Sequence, residues 1–256
     1  METVSRTVAQ RWIERWDRQQ EGYLPDREER FTVLIDAVEA GTARPDPLVL
    51  DLGCGPGSLS ARLLDRLPAA TVVAVDADPL LLALGRAGHG ERPGLRFAEA
   101  DLRAPGWAAG LGLPRPADAA VSTTALHWLS EEGLRVLAAE LAGVLRPGGL
   151  FLNADHLGVQ DAAPALARLE AELRERLTRR RFGGDMPEDW RQWWDGVNAD
   201  PALAGLAELR QSTGSAHSGF ESLHLATHAG ALRAAGFAEV GTLWQHGHDR
   251  LLAAIR

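Results

Sequence analysis

Apolar residues along the chain alternate between helical and strand spacing. Arg6 to Gln20 and Pro25 to Ala40 carry them at helical intervals, with a break over Gly22–Pro25 between the two helices. A Pro-flanked run, Leu48-Val49-Leu50, then ends in glycines, and a helical pattern follows from Ser58 to Arg66. Thr71 to Val75 is a second, β-branched run, with a helix from Pro79 to about Gly88 behind it. Leu95–Phe97, Ala117–Ser122 and Leu150–Ala154 are three further strand-like runs. A helix over Glu131 to Leu145 precedes the last of them and stops at Arg146-Pro147-Gly148-Gly149. Strands alternating with helices of this length predict right-handed βαβ units and a parallel sheet.

Beyond residue 157 the pattern changes. Asp161 to Arg181 reads as a charged amphipathic helix, and Gly183-Gly184 opens a stretch with Trp190, Trp193 and Trp194. Leu223 to Ala235 is a helix ended by Gly236. Phe237–Trp244 and Arg250–Ile255, joined by Gln245–Asp249, predict a terminal antiparallel hairpin. The expected organisation is a core of 46–157 and 223–256, with a helical cap formed by 1–45 and 158–222.

Composition narrows the function classes. At 256 residues, 45% hydrophobic and 24% charged, the chain fits one α/β domain with an elaborated cap. A formal net charge of −8 argues against a nucleic-acid partner, whose phosphates are usually met by a basic face. All 27 basic residues are Arg, as in proteins of GC-rich bacterial genomes, so no lysine is available as Schiff base or general base. The single cysteine, Cys54, leaves no internal disulfide and no Cys-built metal cage. The opening residues mix Arg, Trp and Glu, and no uncharged run has membrane-span length. A cytoplasmic protein without a membrane partner, monomer or homodimer, is expected.

The glycine-rich segment after the first strand, Asp51-Leu52-Gly53-Cys54-Gly55-Pro56-Gly57, carries the strongest local signal. Glycines let backbone turn sharply and approach a ligand, and the following helix N-terminus offers free N–H groups. A dinucleotide fingerprint would require a third glycine at position 58, which is Ser58. Asp51 would also repel a diphosphate, whereas it suits a cationic ammonium. Asp76 ends the second strand, where an acidic side chain accepts both hydroxyls of a ribose. Asp78, just before Pro79, is the helix cap. Asp101, in Glu99-Ala100-Asp101-Leu102, is placed to accept an adenine amino group.

Asp51–Gly57, then Val75-Asp76-Ala77-Asp78-Pro79, Ala100-Asp101-Leu102, Ala125-Leu126-His127-Trp128 and Leu145-Arg146-Pro147-Gly148-Gly149 resemble the class I S-adenosylmethionine-dependent methyltransferases. The resemblance covers about residues 46–155, and the closing hairpin fits it. It implies an α/β, Rossmann-like, doubly wound and mostly parallel seven-stranded sheet with S-adenosylmethionine as cofactor. Gly53, Gly55 and Gly57 would approach the methionine part, and Asp51 would support its ammonium group. Asp76 would hold the ribose, Asp101 with Leu102 would frame the adenine, and Ala77 and Leu81 would pack on its ring. Tyr23 or Arg27 would reach the methionine carboxylate. Cys54 in the loop and Ser122 at the end of the fourth strand are grouped with the cofactor contacts.

The acceptor is expected to be a small molecule outside the carboxyl ends of the fourth and fifth strands, with methyl transfer in line. The segment Ser122-Thr123-Thr124-Ala125 lacks the Asn/Asp-Pro-Pro-aromatic sequence by which enzymes methylating base amines resemble one another. Histidines are the base candidates. His156 ends the fifth strand, and His127 either serves the site or packs beside Trp128. Trp190, Trp193 and Trp194, with Trp12 and Trp16, suggest an apolar lid. Trp190 and Trp194, with His224 and His228, are expected to line the acceptor pocket, and His217 lies near the end of the cap. His224 and His228, at i,i+4, share a helix face, but no third ligand is evident and no metal is expected. A protein that binds S-adenosylmethionine without methylating, or a pericyclase-type enzyme on the same scaffold, is the alternative.

Overall fold

The computed structural model describes residues 4–159, 163–213 and 223–256. Helices α1 (Arg6–Tyr23) and α2 (Arg27–Thr42) precede the alternating part. That part runs β1 (Leu48–Leu52), α3 (Ser58–Arg66), β2 (Thr71–Asp76), α4 (Pro79–His89), β3 (Leu95–Glu99), α5 (Trp107–Gly110) and β4 (Ala117–Thr123). It continues with α6 (Glu131–Val144) and β5 (Leu145–His156). Helices α7 (Pro164–Phe182), α8 (Trp190–Ala199), α9 (Ala204–Thr213) and α10 (Leu225–Ala234) lead to β6 (Glu239–His246) and β7 (Asp249–Ile255).

Seven strands lie in the order β3-β2-β1-β4-β5-β7-β6. All neighbours are parallel except β7, which runs antiparallel to β5 and β6. Every residue of β1 is buried, as continuous apolar runs in a sheet covered on both faces require. One face packs under α6 and α10 around Phe151, Leu137 and Leu232; the other meets α2 and α3 through Phe31, Leu34, Val38 and Leu63. The order reverses between β1 and β4, which opens a crevice beyond their carboxyl ends.

Local chemistry sets the boundaries. Asp78 caps α4, accepting from Leu80 N at 3.0 Å and Leu81 N at 3.2 Å, with Pro79 in the first turn. Ser130 caps α6 through Gly133 N at 3.2 Å. Asp189 and Gln192 form a capping box that starts α8.

Several sequence expectations change. α2 lies flat against β4 and β5, with Phe31 and Leu34 buried, so residues 27–42 complete a layer of the sheet and the helices over the crevice are α1, α8 and α9. The Trp-rich stretch is helix α8, whose Trp193 and Trp194 are buried against Trp12 and Trp16 rather than spread as a lid. The expected start of α7 at Asp161, and His217, lie outside the described residues. His224 is the N-cap of α10, so it precedes the helix whose interior buries His228.

Candidate functional site

The glycine loop is anchored before it reaches the crevice. Gly53 N and Cys54 N both donate to Val75 O, at 2.8 and 3.0 Å, which ties the loop to the end of β2. Gly53 is held at φ 67°, and a Cβ there would lie 2.3 Å from that of Ala125. Only glycine lets the loops after β1 and β4 approach so closely.

Above this loop lies a cavity of about 520 Å³, within the usual size of small-molecule sites. Of the residues expected from sequence, its wall contains Gly53, Cys54, Gly55, Asp76, Ala77 and Leu81, and also Asp101, Leu102, Arg27 and Trp190. Asp76 accepts from Gly55 N at 2.7 Å and from Asp78 N at 2.9 Å. Asp101 is chelated by Arg103 through Nε at 2.8 Å and Nη2 at 2.9 Å, and that guanidinium holds its carboxyl below the usual range. Burial pushes Asp76 up to about 6.

Other expected residues stand behind the wall. Asp51 is fully buried beneath the loop, where one oxygen accepts from Ser60 Oγ at 2.6 Å and the other has no partner. Burial pushes its carboxyl up to about 7. Gly57 is the N-cap of α3 and faces Phe97. Ser122 donates to Leu52 O at 2.8 Å, joining β4 to β1. The Tyr23 hydroxyl accepts from Trp190 N at 3.0 Å, so it positions a wall residue without being one. Trp194 packs behind Trp190, ring centroids 5.7 Å apart.

The histidines form a separate group around the ends of β5 and β7. The Nδ1 of His127 lies 2.7 Å from Asp155 Oδ1, and its backbone N donates to the other oxygen at 3.1 Å. Burial alone would raise Asp155, but His127 and His156 outweigh it and hold the carboxyl well below the ordinary range. His156 pairs with Asp249 at 2.5 Å. His127 itself is buried beside wall residues Leu126 and Trp128; His156, His224 and His228 also lie off the wall. Both ring nitrogens of His228 are buried without partners, and burial lowers its proton affinity.

Sequence reasoning missed wall residues contributed by α2 and the end of β4, and it placed Trp16 of α1 only as part of a tryptophan lid. Trp16 stands over the loop, 3.2 Å from where a Cβ on Gly55 would lie, and Gln20 and Phe31 adjoin it. Thr124, at φ 50°, also lines the wall; a non-glycine residue in that region marks a constrained turn. No spacing within α1 signals these contacts, because they depend on how α1 docks against α4.

Residues 49–149 match the family model described as a methyltransferase domain. Those residues carry a methyltransferase domain. The trans-aconitate 2-methyltransferase of an Azoarcus species is 36% identical over 136 residues, 53% of this chain and 49% of that protein. The chain thus spans about half the length of the curated relatives it matches. Streptomyces venezuelae DesVI shares the fold at TM-score 0.58 and 16% identity, over 95% of this chain and 97% of its own. Human N-acetylserotonin methyltransferase, solved with its cofactor, has TM-score 0.55 at 16% identity, over 94% of this chain and 56% of its own. The cofactor of the methyltransferase domain is S-adenosylmethionine. Two orphaned buried groups fit its amino-acid end: the unpartnered Asp51 oxygen beneath the loop, and Arg27 Nη1 in the cavity wall.

Proposed function

We propose that this protein methylates a small, carboxylate-bearing acceptor. One observation carries the reading: a single cavity joins the carboxylates at the ends of β2 and β3 to the loop after β4, so cofactor and acceptor share one cleft. In this reading Asp76 holds the ribose, and Asp101 with Leu102, Ala77 and Leu81 frames the adenine. The glycine loop meets the methionine part, Asp51 balances its ammonium and Arg27 its carboxylate.

A second buried arginine supports an anionic acceptor. Arg30 lies at i,i+3 from Arg27 on α2, and its Nε and Nη1 have no partners. Arg30 donates to Thr123 Oγ1 at 3.0 Å, just behind the wall, and burial lowers its proton affinity. A buried guanidinium with free donors is costly until an anion meets it. The name of the Azoarcus relative, whose acceptor is trans-aconitate, points the same way.

The bound cofactor supplies an electrophilic methyl on a sulfonium. The chain's task is to align the acceptor oxygen with that methyl and keep water out. A carboxylate carries no proton at neutral pH, so no general base is required. The His127–Asp155 pair then holds the loop after β4, where Trp128 forms wall. A hydroxyl or amine acceptor would instead need a base.

Calorimetry with S-adenosylhomocysteine, followed by transfer of a radiolabelled methyl to di- and tricarboxylates and to a metabolite extract, tests this reading. Binding with label on a carboxylate is expected. Absence of binding overturns the cofactor assignment. Label only on amines or hydroxyls overturns the acceptor class, and binding without any label favours a non-methylating protein.

A further inference from the structure

We infer that His156, His248 and Asp249 form a binding site for one divalent transition-metal ion of the zinc, cobalt or nickel kind. The three ligand atoms lie within 4.8 Å of one another. Two imidazoles and a carboxylate are a donor set that these ions prefer and that calcium and magnesium do not.

The sheet brings the set together. His156 ends β5 and stands directly opposite Asp249 at the start of β7, although 93 residues separate them in sequence. His248 sits in the β6–β7 turn beside Gly247, whose φ of 59° allows the tight reversal. The antiparallel ladder therefore fixes two of the three backbones before any ion arrives.

A hydrogen-bonded His–Asp pair accounts for only part of this geometry. His156 Nδ1 and Asp249 Oδ1 are paired at 2.5 Å, but His248 Nε2 lies 3.9 Å from the same oxygen, beyond hydrogen-bond reach. The two imidazole rings are 5.0 Å apart. A single ion at about 2 Å from each ligand would replace the proton between His156 and Asp249 and draw His248 in by a side-chain rotation.

The surrounding charges nearly balance. Glu170 faces His248, and Asp155 adjoins His156; Arg30 and Arg174 approach from α2 and α7. Arg250 is occupied by Glu170 and by Leu157 O. The ligand side chains keep 16%, 19% and 11% of their surface exposed, so an ion can enter and hold an exchangeable water. None of the three lines the cofactor cavity, so the site is separate from the proposed methyl-transfer chemistry.

The test uses the full chain without an affinity tag, stripped by a chelator and titrated with Co²⁺ while its visible absorption is followed. One Co²⁺ per chain is expected, displaced by Zn²⁺, with Zn²⁺ raising the Tm. His248→Ala, in the turn, should weaken Co²⁺ uptake by about 100-fold and abolish the Tm shift. Asp249→Asn should do the same, whereas His246→Ala, on the same hairpin but outside the set, should bind like the wild type. No saturable uptake by the wild type, or equal uptake by His248→Ala and Asp249→Asn, would overturn the proposal. Either result leaves the methyltransferase reading untouched, since that reading is judged by S-adenosylhomocysteine binding.

Discussion

The two halves of the crevice are built differently. The half over β1, β2 and β3 is made from strand ends and a glycine loop, within residues 51–102, where Asp76 and the loop amides bond to nearby backbone and Asp51 and Asp101 to side chains close in sequence. The half over β4 is backed by side chains that meet each other: His127 with Asp155 and Arg30 with Thr123. A ligand shared by a whole family can be held by backbone and a few fixed carboxylates. Side chains that meet from distant segments can change without disturbing the first half.

The halves should therefore fail in different ways. Asp155→Asn removes a buried carboxylate that serves His127 twice and the His156 backbone once. Breaking such a buried pair costs about 3 kcal/mol, so denaturant unfolding should show that loss while S-adenosylhomocysteine binding stays close to wild type. Asp76→Ala should do the reverse. Calorimetry should show affinity falling about 100-fold, or about 2.7 kcal/mol, with a smaller change in stability. If Asp155→Asn abolished cofactor binding, the separation of the halves would be wrong.

Asp51 tests the comparison through pH. Its folded carboxyl is pushed up to about 7, while an unfolded carboxyl titrates near 3.8. Between those values the folded chain holds a proton that the unfolded chain has released, so the associated stability is full below about pH 4 and is lost as pH rises through 7. Asp51→Asn should flatten that decline. Thermal melts of the cofactor-free protein at pH 8 should show the variant more stable by about 2 kcal/mol. The same variant should bind S-adenosylhomocysteine about tenfold more weakly, because the ammonium loses its counter-charge. The smallest effect is expected at Arg103. Its ion pair with Asp101 is more than 40% exposed on both sides, so Arg103→Ala should alter stability by less than about 0.5 kcal/mol in the same melts.

Legibility in sequence follows the same division. The strands, the glycine loop and the carboxylates at 76 and 101 are set by local spacing, and helix α3 begins and ends at its expected residues. Asp51 is legible as a carboxylate beside the loop, but its burial beneath it is not, because that depends on a strand residue two positions before the turn pointing into the layer with Ser60. The side-chain pairings around β4, β5 and β7 are largely hidden. His156 finds Asp249 through antiparallel register, and His228 faces Asp155 only because α10 packs on the sheet. Three tryptophans at 190, 193 and 194 resembled a lid, yet helical spacing turns two of them inward against α1. Tertiary docking decided each of these, and no window of sequence contains it.

The indole of Trp16 over Gly55, and that of Trp190 beside it at 5.3 Å between centroids, give the cavity its own optical reporter. Of the eight tryptophans, Trp16, Trp128 and Trp190 form wall, whereas Trp12 and Trp193 are sealed in the interior. An adenosyl ligand entering there would dim the emission of the first group and leave the second unchanged. Occupancy can thus be followed by intrinsic fluorescence, without labelling the chain.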